Sequence, residues 1–124
     1  MPNEFIDIDQ ISIFFKHWEK EKNGIAELFR KRDKQSAEEP MRKHIRNLME
    51  VLFLINHLPI CNSSEKLLDE IEKLNIKPIN SKERLSFLCE RPAHYHSFIQ
   101  LAELFEELEK LYKKNLAIKN RSAE

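Results

Sequence analysis

One glycine, Gly24, serves a chain of 124 residues. Glycine is the residue that takes φ > 0 without steric cost, and tight strand reversals and phosphate-cradling loops depend on it. The rest of the sequence repeats Leu, Ile, Phe, Lys and Glu at helical spacing. Together these features predict an all-α fold: a single compact bundle of five or six helices with a long C-terminal helix. The length suits one domain with one core. Residues 1–124 are therefore read as a single helical domain, with an arm over residues 1–8 and a frayed tail over 119–124.

Lys and Arg number 21, as do Asp and Glu, so the formal net charge is zero. Such a chain has no overall attraction for nucleic acid or anionic lipid. With 34% charged and 41% hydrophobic residues, it suits helices with one buried and one solvated face. The longest apolar run, residues 51–55, is far short of the roughly 20 residues a membrane span needs. Residues 1–10 carry Glu4, Asp7 and Asp9 and no basic segment, and Cys61 and Cys89 form no C-x-x-C pair. The expected setting is the cytoplasm, with no membrane contact and two reduced thiols packed as small hydrophobes.

Asp7 or Asp9 is placed to cap a first helix whose apolar face is Ile11, Phe14, Phe15 and Trp18. Asn23-Gly24 is a natural stop, after which Ile25, Leu28 and Phe29 continue the stripe on a second short helix. Because that stripe stays in phase, one bent helix is the alternative. Ser36 and Glu39 form a capping-box pattern with Pro40 in the first turn, opening a central helix that reaches about residue 58. Its first half is amphipathic. Residues 51–55 are apolar all round, which suits a bundle's central helix or a surface shared between core and partner. Pro59 ends it, with His57 favoured near a helix C-terminus. Asn62, Ser63 or Ser64 caps a helix bearing Leu67, Leu68, Ile71 and Leu74. Asn80 or Ser81 caps a short one bearing Leu85, Phe87 and Leu88, with Glu83 completing a box. Pro92 opens the last and longest helix, residues 92–118, striped by Tyr95, Phe98, Ala102, Phe105, Leu108 and Tyr112.

Catalytic and metal signatures are missing from the sequence. His94 and His96 are two apart, so on a helix they diverge by roughly 200°. No H-x-x-x-H or E-x-x-H spacing occurs. Neither catalytic residues, nor a metal site, nor a cofactor is expected. Two surfaces stand out. Arg84, Arg91, His94, Tyr95 and His96 gather at a helix junction, and with Trp18, the other large amphipathic ring, they are the candidates for protein contact. The opposing reading is a buried junction in which Arg91 caps carbonyls and Tyr95 packs inward. Arg30, Lys31, Arg32, Arg42, Lys43 and Arg46 would share one end if their two helices meet there, making a phosphate-reading patch that Asp33, Glu38 and Glu39 dilute. A helix-turn-helix over residues 67–74 and 81–90, with Lys82 and Arg84 leading the reader, has too long a turn and an acidic first helix.

The segment 77–88 (Lys77-Pro78-Ile79-Asn80 onward) and the segment 91–101 (Arg91-Pro92-Ala93-His94-Tyr95-His96 onward) resemble the YpoC-like proteins. Trp18, the Phe29-Arg30-Lys31-Arg32 stretch and the helix end at Asn56-His57-Leu58-Pro59 fit as well, so the resemblance covers nearly the whole chain. It implies a small helical protein of Bacillus-type bacteria and offers no activity or catalytic residue to transfer. The placing of such genes beside replication and repair genes strengthens the nucleic-acid reading. The leading expectation is a non-enzymatic intracellular interaction or regulatory module that binds a protein partner or a second copy of itself. The alternative is a nucleic-acid-associated accessory protein linked to DNA replication or repair.

Overall fold

The computed structural model describes residues 2–60, 63 and 65–123, and among these the side chains from 10 to 118. Five helices follow in order: α1 (Pro2–Arg30), α2 (Lys34–Ile55), α3 (Leu67–Glu72), α4 (Ser81–Glu90) and α5 (Tyr95–Ala123). No strand occurs among the described residues. The long C-terminal helix has an equal at the other end, since α1 and α5 each hold 29 residues.

Helix α1 runs straight through Gly24, so the in-phase stripe decides the matter and the expected stop does not form. A mid-helix glycine costs about 0.5–1 kcal/mol, whereas burying an Ile or Phe side chain gains about 1.5–3 kcal/mol. Ile25 and Phe29 lie beyond the glycine at 3% and 8% exposure, and both bury on the face that Trp18 begins. Asp7 and Asp9 fall inside α1, so neither is its cap.

The reversal into α2 is made without glycine. Arg32 takes φ 61°, its N–H donates to the Phe29 carbonyl, and the Asp33 N–H donates to the Leu28 carbonyl. These two bonds are the 5→2 and 6→1 closures of a Schellman ending. Asp33 then caps α2, its carboxylate accepting from the Ser36 N–H at 3.2 Å. The cap is thus Asp33 and not Ser36, which moves the helix start to Lys34 and leaves Pro40 in the helix interior. The carbonyl that Pro40 deprives of a donor belongs to Ser36, an exposed residue that water can reach. The far end of α2 repeats the device: His57 has φ 58°, its N–H donates to the Leu54 carbonyl, and Leu58 N–H donates to Phe53. Pro59 follows directly, so α2 stops at Ile55, three residues short of the expected end.

Helices α1, α2 and α5 share the main core. Trp18 lies parallel on Phe105, with centroids 4.8 Å apart and planes 9° apart. Phe15 meets Phe105 and Tyr112, and Phe29 meets Phe98, so α1 and α5 run antiparallel. The 51–55 run is buried except for half-buried Leu54, as a central helix requires. Ile71, Leu74, Leu85 and Leu88 close the core from α3, α4 and the turn after α3. The caps expected at Asn62 and Ser64 lie outside the described residues. Lys66 occupies the position before α3 and makes no side-chain cap bond.

Asn56 ties the long connection to this frame. Its amide Nδ2 donates to the carbonyls of Leu52 (2.7 Å) and Ile76 (2.9 Å), and its Oδ1 accepts from the Ile76 N–H (2.9 Å). The side chain thereby pairs with backbone as a neighbouring strand would.

Two stability outcomes follow. A Cβ placed on Gly24 meets nothing within 4 Å. Gly24→Ala is expected to raise the urea unfolding free energy by about 0.5–1 kcal/mol. Asn56→Ala removes three part-buried hydrogen bonds and is expected to cost about 2 kcal/mol or more in the same measurement.

Candidate functional site

The outer face of α4 and the first turns of α5 enclose an open groove of about 520 Å³, lined by Asn80, Glu83, Arg84, Phe87, His96 and Gln100. Residues 80, 83, 84 and 87 recur at helical spacing, so α4 supplies one wall, while His96 and Gln100, one turn apart on α5, supply the other. Phe87 and His96 meet edge to face at 5.5 Å. Asn80 adopts φ 57° before α4 and makes no side-chain cap bond, so the expected box with Glu83 is not formed. Ser81 instead donates from its buried hydroxyl to the Pro78 carbonyl.

Arg84 shapes the groove by being fully engaged. Its two terminal nitrogens form a bidentate pair with Glu107 at 3.0 and 2.5 Å, Nε donates to Gln100 Oε1 at 3.1 Å, and Nη1 also reaches the Ile79 carbonyl. The Glu107 bonds hold the guanidinium above its usual pKa. The side chain is 17% exposed. Arg84 is thus a clasp between α4 and α5 that leaves little donor capacity for a ligand. Ile79 stands beside it at 78% exposure.

The other contact candidates separate. Trp18 is 3% exposed and stacked in the core, so it offers no surface. Arg91 terminates α4, its carbonyl accepting from the buried Ser97 hydroxyl at 2.6 Å, while its side chain is exposed. Pro92 is buried in the following turn and α5 begins at Tyr95. The exposed His94 contributes its carbonyl to the Phe98 N–H. Tyr95 is 57% exposed and stacks on Phe98 beside Phe29, facing α1, whereas His96 faces α4.

The six cations do not share one end. Arg30, Lys31 and Arg32 close α1, but Arg42, Lys43 and Arg46 lie further along α2, and Arg46 is about 18 Å of helix rise from Lys34. Several are paired: Arg30 with Glu27 at 2.8 Å, Arg42 with Glu38 at 3.5 Å, and Lys43 with Glu21 at 2.8 Å. Lys31, Arg32 and Arg46 are exposed and form no ion pair among the described residues. The helix-turn-helix reader is likewise occupied. Lys82 binds Asp69 at 2.8 Å and lies 3.8 Å from Glu72, and Arg84 is held by Glu107.

Sequence reasoning missed a buried polar contact between α1 and α2. His44 is 0% exposed, and its Nε2 lies 2.7 Å from Glu21 Oε1. Glu21 also receives Lys43 and lies 3.5 Å from His17. Hydrogen bonds from Lys43 and His44 pull the Glu21 carboxyl from 4.5 down to about 2. Burial pushes His44 below 6.5, outweighing Glu21. An ionised carboxylate only accepts, which assigns the proton to Nε2. Nδ1 is then a bare buried acceptor without a hydrogen-bond partner among the described residues, close to the rings of Trp18 and Phe105. The signal was present: His44 sits three residues after Met41 and four before Leu48, on the buried stripe.

Cys89 is exposed, contrary to its expected burial, because it falls on the outer side of α4. Crowding by its neighbours still raises its thiol pKa, which disfavours the nucleophilic thiolate. Cys61 lies outside the described residues. Among those residues, no group of three or more His, Cys, Asp or Glu is placed to hold a metal, and no helix is long and apolar enough to cross a membrane.

A family model described as YpoC-like protein matches residues 8–120. A curated relative, "Uncharacterized protein YpoC" of Bacillus subtilis (strain 168), is 31% identical over 104 residues, covering 84% of this chain and 63% of the relative. The chain therefore matches less than two thirds of that relative's length. No solved structure matches.

The Glu21–His44 contact makes stability depend on pH in one direction. As pH falls, the unfolded chain protonates His44 near 6.5 and Glu21 near 4.5, in each case before the folded chain protonates the same group. Each group's contribution is complete above its unfolded value and is lost as pH falls through the window between its unfolded and folded values. Unfolding free energy measured in urea is expected to decline in two stages below pH 7, the lower one extending toward pH 2. His44→Gln should remove the upper stage and Glu21→Gln the lower. An unchanged profile in both variants would contradict this assignment.

Proposed function

We propose that this chain, which belongs to the YpoC-like family, is a non-enzymatic, cytoplasmic protein-interaction module whose contact surface is the groove between α4 and α5. One observation carries the reading. The groove is preformed, because the bidentate Arg84–Glu107 pair fixes its walls before any partner arrives. A rigid surface avoids the ordering cost that a floppy one incurs on binding. Its volume of about 520 Å³ is large enough for several side chains. Ile79, Phe87 and His96 supply apolar and aromatic contact of the kind that anchors interfaces. The rest of the molecule is consistent with a binding role, since its shifted carboxylates and histidine are engaged in structural contacts: Glu21 with His44, Asp33 with Ser36 and Asp69 with Lys82.

A second reading, a nucleic-acid accessory linked to DNA replication or repair, draws support from Lys31, Arg32 and Arg46, which are exposed and form no ion pair among the described residues. Three cations spread along a hairpin give a weak, strongly salt-dependent field.

The two readings part in one experiment. The tagged protein is used as bait in nuclease-treated extract of its own cells, beside an Ile79→Asp/His96→Asp variant with the same thermal midpoint. The expected result is a partner protein retained by the native bait and reduced about tenfold or more on the variant. Equal recovery on both baits would remove the groove. Capture that disappears with nuclease would favour the second reading.

A further inference from the structure

The turn from α1 to α2 lies against the turn from α4 to α5, and three rings join them. Phe29 ends the apolar stripe of α1, while Tyr95 and Phe98 open α5. Their centroids are 6.0 Å (Phe29 to Tyr95), 5.8 Å (Phe29 to Phe98) and 6.2 Å (Tyr95 to Phe98) apart, a nearly equilateral triangle. Both neighbours therefore approach Tyr95 from one side. Phe29 and Phe98 are buried, whereas Tyr95 is 57% exposed, so the side of its ring away from the triangle is open to solvent.

Cations from both turns surround this ring. The Arg32 N–H donates to the Phe29 carbonyl, which places Lys31 and Arg32 one turn beyond Phe29. The Arg91 carbonyl accepts from Ser97, two residues after Tyr95. Lys31, Arg32 and Arg91 are exposed and form no ion pair among the described residues. Of the nearby carboxylates, Glu27 is neutralised by Arg30 at 2.8 Å, and Asp33 is engaged in the Ser36 cap with Lys34 next to it. Glu90 is left against three cations. Arg91 is remote in sequence from the other two, so the fold assembles this group and neither turn carries it alone.

An open ring among cations restricts the occupant. A peptide carboxylate would satisfy the cations, but the negative face of an aromatic ring repels it. An apolar side chain would cover the ring and leave the cations unused. A nucleotide joins a flat base to a phosphate in one covalent unit and so meets both features. The bases of a duplex are already stacked on one another, whereas those of a single strand are free to stack on protein.

We infer that Tyr95 is a stacking platform for one base of a single-stranded nucleic acid, with the adjoining phosphates held by Lys31, Arg32 and Arg91. The inference rests on the nucleic-acid reading and gives it a site. It uses no residue that lines the α4–α5 groove.

The full chain is titrated into a fluorescein-labelled oligothymidylate of twelve residues, with binding read as anisotropy at low salt. Saturable binding is expected, and its affinity should fall with salt at a log–log slope of about −2 for three phosphates. Tyr95→Leu keeps an apolar side chain over Phe98 but removes the ring. It should bind about tenfold or more weakly, whereas Tyr95→Phe should bind as the native chain does. An abasic strand of the same length keeps the phosphates without the bases and should show the same loss on the native chain. Undiminished binding by a folded Tyr95→Leu, or of the abasic strand, would overturn the stacking site and leave the nucleic-acid reading standing, because charge alone would then suffice. A duplex of twelve base pairs bound as tightly as the single strand would overturn it in the same way. No saturable binding at low salt would overturn both.

Discussion

The parallel contact of Trp18 on Phe105 joins the first helix of the chain to the last, and the rest of the bundle is arranged around it. Helix α1 reaches α2 through a three-residue turn, a local event with little loop entropy to overcome. Helix α5 has no such tether to α1. What brings it back is the aromatic seam, in which Phe15, Trp18 and Phe29 meet Tyr112, Phe105 and Phe98 in antiparallel order. Offset and edge-on ring pairs are worth about 0.5–1.5 kcal/mol each beyond their burial. Several in register fix both the direction and the rotation of α5. Once α5 is placed, Arg84 finds Glu107 and α4 is fixed against it.

The same seam explains why a histidine can be buried so completely. His44 lies against the edges of Trp18 and Phe105, where a charged imidazolium would be poorly solvated and a neutral one packs as an aromatic. Glu21 then meets it from α1 and keeps its own charge by taking Lys43 as a second partner. A polar pair inside a helix–helix contact contributes through specificity as much as through energy. A one-turn slip of α1 against α2 would leave Nε2–H without an acceptor and Glu21 away from both its donors. The apolar stripes alone would tolerate such a slip better.

How far this was legible in the sequence depended on the range of the interaction. Apolar periodicity is local, and it carried the all-α class, the central α2, the short α4 and the long α5. Where two local signals competed, the one with more buried area prevailed: Gly24 signalled a stop, but Ile25 and Phe29 continued the stripe and the helix with it. Turn chemistry was harder to see, because Arg32 and His57 occupy left-handed positions where glycine is the usual marker. The glycine-poor composition that identified the fold class also concealed these helix ends. Asp33 prevailed over Ser36 as a cap because it closes the preceding Schellman turn and opens the next helix with one residue.

Site residues were less legible because their partners are distant in sequence. Arg84 reads as a free interface anchor until Glu107 and Gln100 are folded against it, and Trp18 reads as an amphipathic ring until Phe105 covers it. Spacing tells which residues share a face of one helix, but not what the facing helix supplies. A chain with zero net charge can still carry local fields, and these depend on which ions find partners. Among the α1–α2 cations the pairs to Glu27, Glu38 and Glu21 dissolve the patch that the sequence suggested. The surfaces available for recognition are therefore set by what remains after the helices have satisfied one another, a property of the assembled bundle that no single helix carries alone.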